Sequence, residues 1–180
     1  QYRDVESTNM YDIMVNRDGV AHQDMMAILA QKSRDNSRTP MQWNSEPYAG
    51  FSQAKPWLDV ANNYTEINAE QALEDKDSVF YFYKSLIELR KEVPVITHGS
   101  YQDLLPEHPS VFAYSRESEG QILLCINNYY GEACQVELPN ELDLDEAQLL
   151  LGNYPEDPSP VSVNTMILRP YETRILLIEQ

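Results

Sequence analysis

The hydrophobic pattern changes period near Val93. Before it, apolar positions recur at helical spacing. In "QDMMAILAQK" (23–32), Met25, Ile28 and Leu29 share one side of an amphipathic helix expected to end before the polar stretch that follows. "DSVFYFYKSLIELRKE" (77–92) repeats Val79, Phe82, Leu86 and Leu89 in the same way. Asp77 or Ser78 can cap its start, Arg90 and Lys91 suit the negative end of its dipole, and Pro94 stops it. After Val93 the runs are short and strand-like: "SYQDLL", "SVFAYSR", "QILLCINN", "ACQVEL", "AQLLLGN", "VSVNTMIL" and "TRILLIE". Pro, Gly, Asn and acidic turns separate them, which predicts an antiparallel sandwich. "ESEGQ" reads as a hairpin turn, and "NYPEDPSP", with three prolines in eight residues, as an irregular loop. The predicted class is α+β, with a helical and loop-rich part over 1–93 and an all-β domain over 94–180.

Charge and cysteine content narrow the partners. Thirteen Lys plus Arg against 29 Asp plus Glu give a net charge of -16, which disfavours nucleic acid and anionic membrane as partners. No apolar run reaches the roughly 20 residues of a membrane span, and no signal peptide is visible. Two cysteines are too few for a disulfide framework, so a cytoplasmic location is expected. If 121–127 and 133–138 are neighbouring strands, Cys125 and Cys134 face each other; free, buried thiols are the preferred reading.

Catalytic motifs are scarce. His22, His98 and His108 are scattered without metal-ligand spacing and are expected on the surface, so neither a metal nor another cofactor is expected. The acidic cluster Asp143, Asp145 and Glu146 lacks the glycine and terminal glutamate of a calcium loop. One stretch stands apart: "QKSRDNSRTPMQWN" (31–44) has no apolar period and no linker monotony. Its Arg34, Asp35, Arg38 and Trp43 form a kit for holding a sugar, since a guanidinium forks onto vicinal hydroxyls and an indole face packs on a pyranose. Read from composition alone, ion pairs that pin a long loop are the preferred role of the same arginines.

Several blocks carry a resemblance. "YRDVES" (2–7), "SRDNSRTPMQW" (33–43), "AGF" (49–51), "PW" (56–57), "NYTEINAEQAL" (63–73), "DSVFYFYKSLIELRK" (77–91) and "LRPYE" (168–172) are similar to the C-terminal part of the alpha-amylase superfamily. The branch is that of oligo-1,6-glucosidases, dextran glucosidases and trehalose-6-phosphate hydrolases. Ser37, the preceding "ILAQKS" and "YQDLLPEHPSVFAYSR" (101–116) resemble trehalose-6-phosphate hydrolases most. The resemblance implies the end of a (β/α)8 barrel, with its eighth loop and eighth helix but no complete barrel, followed by an antiparallel β-sandwich. It implies a retaining, exo-acting alpha-glucosidase whose three catalytic carboxylates lie upstream, because no "NHD" motif occurs here. Arg34 matches the residue that grips the non-reducing glucose, and Asp35, Arg38 and Trp43 are expected to support the loop. The partner is then a small sugar, and the chain alone is expected to be inactive.

Two other readings stand beside this one: a free-standing carbohydrate-binding module, or a purely structural β domain. The aromatic runs "YFY" (81–83) and "NNYY" (127–130) are expected to pack rather than to bind. Barrel-facing residues Val79, Phe82, Leu86 and Leu89 are expected to expose apolar surface in the isolated chain and to drive self-association.

Overall fold

The computed structural model describes residues 2–140, 142, 144, 145, 147–154 and 164–179. It divides into two compact units, Gln1–Tyr81 and Phe82–Gln180.

The first unit is helices joined by long irregular segments. Helix α1 (Val5–Tyr11) runs into a π-helical stretch, Asp12–Arg17. Helix α2 (His22–Lys32) matches the predicted amphipathic helix: Met25 and Leu29 are buried, and the chain leaves the helix at Ser33. A short helix α3 (Ala69–Glu74) follows the long loop, capped by the buried Asn68, whose Oδ1 accepts the Gln71 N–H at 3.0 Å. α1 and α3 have no predicted counterpart, because each is too short to show a period.

Helix α4 (Val79–Glu92) crosses the division between the units. The Ser78 hydroxyl, expected to cap it, donates to the Ala72 carbonyl at 2.6 Å. The exposed side of α4 differs from the expected one. Val79 is 83% exposed, but Phe82, Leu86 and Leu89 are half-buried, and the open stripe is Phe80, Tyr83 and Ile87. The reason is local: Leu86, with Val93 and Ile96, packs against Val95, Leu123, Cys125 and Ile175. Pro94 ends α4 as predicted, but a further short helix, α5 (Val95–His98), precedes the first strand.

The second unit is a β-sandwich whose strands follow the predicted runs closely. They are β1 (Ser100–Asp103), β2 (Val111–Ser118), β3 (Gln121–Asn128), β4 (Cys134–Glu137), β5 (Gln148–Gly152), β6 (Thr165–Leu168) and β7 (Thr173–Glu179). Sheet order is β1-β2-β3-β7-β5, all pairs antiparallel, opposite a two-stranded sheet β4-β6. The hairpin at "ESEGQ" is a two-residue turn in which Glu119 (φ 52°) and Gly120 (φ 78°) both take positive φ, the twist that matches flanking strands. "NYPEDPSP" from Pro155 onward, the start of "VSVNTMIL", and Asp143 and Glu146 of the acidic cluster lie outside the described residues.

Strand β3 is apolar on both sides because it is the middle of three layers. Ile122, Leu124 and Ile126 join Val136, Met166 and Leu168 in the inter-sheet core. Leu123 and Cys125 face α5 and the end of α4. The conditional pairing of Cys125 with Cys134 fails, since β3 and β4 belong to different sheets; both thiols are free. Burial pushes the Cys125 thiol up, so it stays protonated and inert.

A buried ion cluster ties β6 to β7. Glu172 is 2% exposed and accepts from Arg169 N (2.6 Å), Arg169 Nη2 (2.9 Å) and Arg174 Nε (2.8 Å). The Glu172 main chain also receives the Asn128 N–H at 2.8 Å, joining this corner to the end of β3. Burial pushes the Glu172 carboxyl up, but hydrogen bonds from Arg169 and Arg174 outweigh it and hold the value at about 2 rather than 4.5. A carboxyl depressed on folding stabilises above its unfolded value and loses that stability as pH falls toward its folded one. Urea unfolding of the chain is therefore expected to weaken between pH 4.5 and about 2. In Glu172→Gln this part of the slope disappears, with a cost of about 3–5 kcal/mol near neutral pH.

Candidate functional site

The site grows from Asp35, the second residue of the arginine-rich motif. After α2, the chain makes a 3₁₀ turn over Arg34–Ser37, started by the Ser33 hydroxyl, which accepts the Asp35 N–H at 3.3 Å. The turn is closed by the Ser37 hydroxyl donating to the Arg34 carbonyl at 2.9 Å. Asn36 looks back, its amide donating to the last carbonyls of α2, Leu29 (3.1 Å) and Ala30 (3.0 Å). Ser33, Asn36 and Ser37 thus all bond backbone, which explains an ordered segment without apolar period.

Asp35 is 5% exposed, and its Oδ2 accepts the main-chain N–H groups of Arg3 (2.5 Å) and Asp4 (2.9 Å). Asp4 in turn caps α1, accepting from Ser7 N and Ser7 Oγ, both at 3.1 Å. The Ser33 hydroxyl lies 2.8 Å from Ser7 Oγ and can donate to it while Ser7 donates to Asp4, closing the ring of contacts. Arg38 spans the two carboxylates, with Nη1 3.4 Å from Asp4 Oδ1 and 3.8 Å from Asp35 Oδ1. The backbone hydrogen bond from Ser7, with help from Arg34 and Arg38, holds the Asp4 carboxyl below its ordinary value.

Arg34 lies at the rim of this knot. Its guanidinium is 2.8 Å from Glu6 Oε2, and both side chains are about two-thirds exposed. The motif therefore sorts its arginines: Arg38 is occupied by the buried carboxylates, and Arg34 presents donors to solvent beside one acid from α1.

Trp43 is held by its backbone and leaves its indole half-exposed. Its N–H donates to the Ala49 carbonyl and its carbonyl accepts the Glu70 N–H, both at 2.9 Å; the Gln42 carbonyl accepts from Ala69 at 2.9 Å. The segment facing it is strained: Tyr48 (φ 56°), Ala49 (φ 58°) and Gly50 (φ 65°) are all left-handed. That conformation costs roughly 1–2 kcal/mol per non-glycine residue. Gly50 suits this segment, because its positive φ strains any other residue and a Cβ would push the Asn44 side chain aside, standing 2.4 Å from its Oδ1.

The four residues singled out in the sequence thus lie along one segment, three of them in or beside the knot and Trp43 on the loop beyond. Sequence reasoning assigned no role to Asp4, Glu6, Ser7 or Ser33, although the first three fall inside the quoted block "YRDVES". Among the described residues no cluster of three His, Cys, Asp or Glu is placed to hold a metal ion. The three histidines are apart; His22 and His98 are exposed and His108 is half-buried.

The family "Alpha amylase, catalytic domain" matches residues 3–99. The chain belongs to the alpha-amylase family. A second family, "Alpha-amylase SusG C-terminal domain", matches 111–175, so the β-sandwich is the part that follows the catalytic domain in these enzymes. Among curated relatives, the oligo-1,6-glucosidase of Halalkalibacterium halodurans is 47% identical over 98% of this chain and 31% of its own length. The trehalose-6-phosphate hydrolase of Bacillus subtilis is 48% identical over 96% of this chain and 30% of its own. The crystal structure of Bacillus licheniformis trehalose-6-phosphate hydrolase superposes with a TM-score of 0.92 at 44% identity, covering 99% of this chain and 32% of that one. The chain spans about a third of the length of the alpha-amylase relatives it matches.

Replacing Asp35 by Ala strands the main-chain N–H groups of Arg3 and Asp4 and leaves Arg38 with Asp4 alone. The expected outcome is a loss of about 2–4 kcal/mol in urea unfolding followed by far-UV signal. Ser37→Ala, which removes one hydroxyl bond on an exposed turn, is expected to cost under about 1 kcal/mol.

Proposed function

We propose that the chain is the C-terminal part of a retaining, exo-acting alpha-glucosidase that hydrolyses trehalose 6-phosphate to glucose and glucose 6-phosphate. The observation that carries this reading is the alignment of nearly the whole chain with enzymes of that kind at 44–48% identity. In such a reaction an aspartate attacks the anomeric carbon, a glutamate protonates the leaving oxygen, and water then resolves the glycosyl-enzyme. Those carboxylates belong to the part of the enzyme upstream of this chain, which supplies positioning and barrel support. Residues 1–93 are read as the end of the catalytic barrel domain and 94–180 as the sandwich; the first family match runs on to residue 99 and the second begins at 111.

Arg34 is the residue assigned to the sugar. Its exposed guanidinium, oriented by Glu6 at 2.8 Å, donates to hydroxyls of the non-reducing glucose. Asp35, Arg38 and Trp43 hold the loop that presents it. Two free cysteines fit a reducing, cytoplasmic setting, and among the described residues no helix is long and apolar enough to cross a membrane. A second reading, an oligo-1,6-glucosidase, is supported by the 47% identity to the Halalkalibacterium halodurans enzyme.

Hydrolysis of trehalose 6-phosphate and isomaltose by the full-length protein and by the 180-residue chain, side by side, tests the reading. Full-length turnover preferring the phosphorylated sugar, with a silent chain, is expected; preference for isomaltose selects the second reading. Arg34→Lys in the full-length protein is expected to lower kcat/KM by on the order of 10- to 100-fold, since a forked charged donor is lost. The isolated chain is expected to self-associate through the stripe Phe80, Tyr83 and Ile87. Sedimentation should show a smaller species when all three are changed to Ser.

A further inference from the structure

The turn after β3 carries two tyrosines whose backbones are fixed and whose rings are open. Tyr129 and Tyr130 are 64% and 56% exposed, which departs from the packing role expected for "NNYY". The Tyr129 N–H donates to the Ser110 carbonyl at 2.9 Å, the Tyr130 N–H to Asn128 Oδ1 at 3.0 Å, and the Tyr130 carbonyl accepts from Tyr171 at 3.0 Å. Asn128 is itself buried, its amide donating to the carbonyls of Glu132 (2.8 Å) and Arg169 (3.0 Å). Exposed rings on a mobile turn would be unremarkable; exposed rings on a turn bonded at every step form a platform.

Beside them is a surface depression of about 220 Å³, lined also by Leu105, His108, Pro109, Phe112 and Asp103. His108 Nδ1 accepts the N–H groups of Ser110 (3.2 Å) and Val111 (2.9 Å). The ring is thereby fixed, and in the neutral imidazole the proton sits on Nε2 as a donor. Asp103 Oδ1 accepts the Leu105 N–H at 3.2 Å, which leaves Oδ2 as an acceptor.

We propose that this depression is a second carbohydrate site, taking one neutral pyranose ring. The apolar face of the ring stacks on Tyr129 or Tyr130, and its hydroxyls meet His108 Nε2–H and Asp103 Oδ2. A single ring is the fitting size, because the volume falls below the roughly 300–1,000 Å³ of pockets for larger ligands. Neutrality follows from Asp103 in the lining and a net charge of -16, both of which repel phosphate and carboxylate. The site lies wholly within the β-sandwich and does not depend on Arg34 or on which glucoside the full enzyme cleaves.

The test uses full-length protein labelled with 3-fluorotyrosine, Tyr129 and Tyr130 assigned by single Phe variants, and titration with methyl α-glucoside. Saturable shifts of those two resonances are expected. Tyr129→Ala/Tyr130→Ala is expected to weaken the response of the depression, read at fluorotyrosine-independent His108 ring protons, by at least about tenfold. The corresponding double Phe variant keeps most of it, and glucose 6-phosphate binds more weakly than the neutral sugar. Tyrosine resonances that do not move, an Ala variant that binds as well as the parent, or tighter binding of the phosphorylated sugar would each overturn the proposal. Hydrolysis measured on the same variants separates this outcome from the catalytic reading: loss of the second site leaves turnover of a small glucoside unchanged.

Discussion

Asp35 brings a full negative charge to 5% exposure, and the arrangement of the arginine-rich motif follows from how that charge is compensated. An unpaired carboxylate at this depth would be prohibitive. One oxygen is satisfied by two main-chain N–H groups of residues 3 and 4, so the start of α1 is drawn against the 3₁₀ turn. The other faces Arg38 at 3.8 Å, long for a hydrogen bond and close enough for attraction across a poorly solvated gap. With Arg38 committed inward, Arg34 is left to face outward. Two arginines four residues apart thus acquire opposite roles, Arg38 toward Asp4 and Asp35 and Arg34 toward Glu6 at the rim.

The sandwich repeats this logic with a different carboxylate. Glu172 sits at a corner where β6 hands over to β7, between the two sheets, and two arginines and the end of β3 converge on it. Apolar packing alone would hold the sheets together but tolerates small slips. A buried charge with directional partners does not, so the cluster sets how the corner closes. In each unit a buried acid with directional partners pins the local backbone.

Much of the fold was legible in sequence because its cues are local. The runs "QILLCINN" and "TRILLIE" coincide with β3 and β7, and Glu-Gly in "ESEGQ" marks a turn that only positive φ can make. The exposed stripe of α4 was misjudged since the helix carries apolar residues nearly all round, and periodicity cannot say which side a β-sheet will cover. Of the site, the residue types were visible in the motif, but the division of labour between Arg34 and Arg38 was not. It depends on Asp4 and Glu6, some 30 positions away, and on a serine–serine contact that no spacing rule encodes. The exposure of Tyr129 and Tyr130 is hidden from the sequence for a related reason: aromatic residues next to a strand usually pack, and it is the buried Asn128 that holds this turn with its rings open.

The backbone ladder around Trp43 carries one more consequence. Trp43 is bonded on one side to the left-handed turn at Ala49, and on the other Gln42 and Trp43 are bonded to the first residues of α3. None of these hydrogen bonds can open alone without stranding its neighbours, so the loop and the start of α3 exchange their amide protons as one unit. Protection at Trp43, Ala69 and Glu70 would then rise and fall together, and the motif loop behaves in time as part of a helix it never joins in sequence.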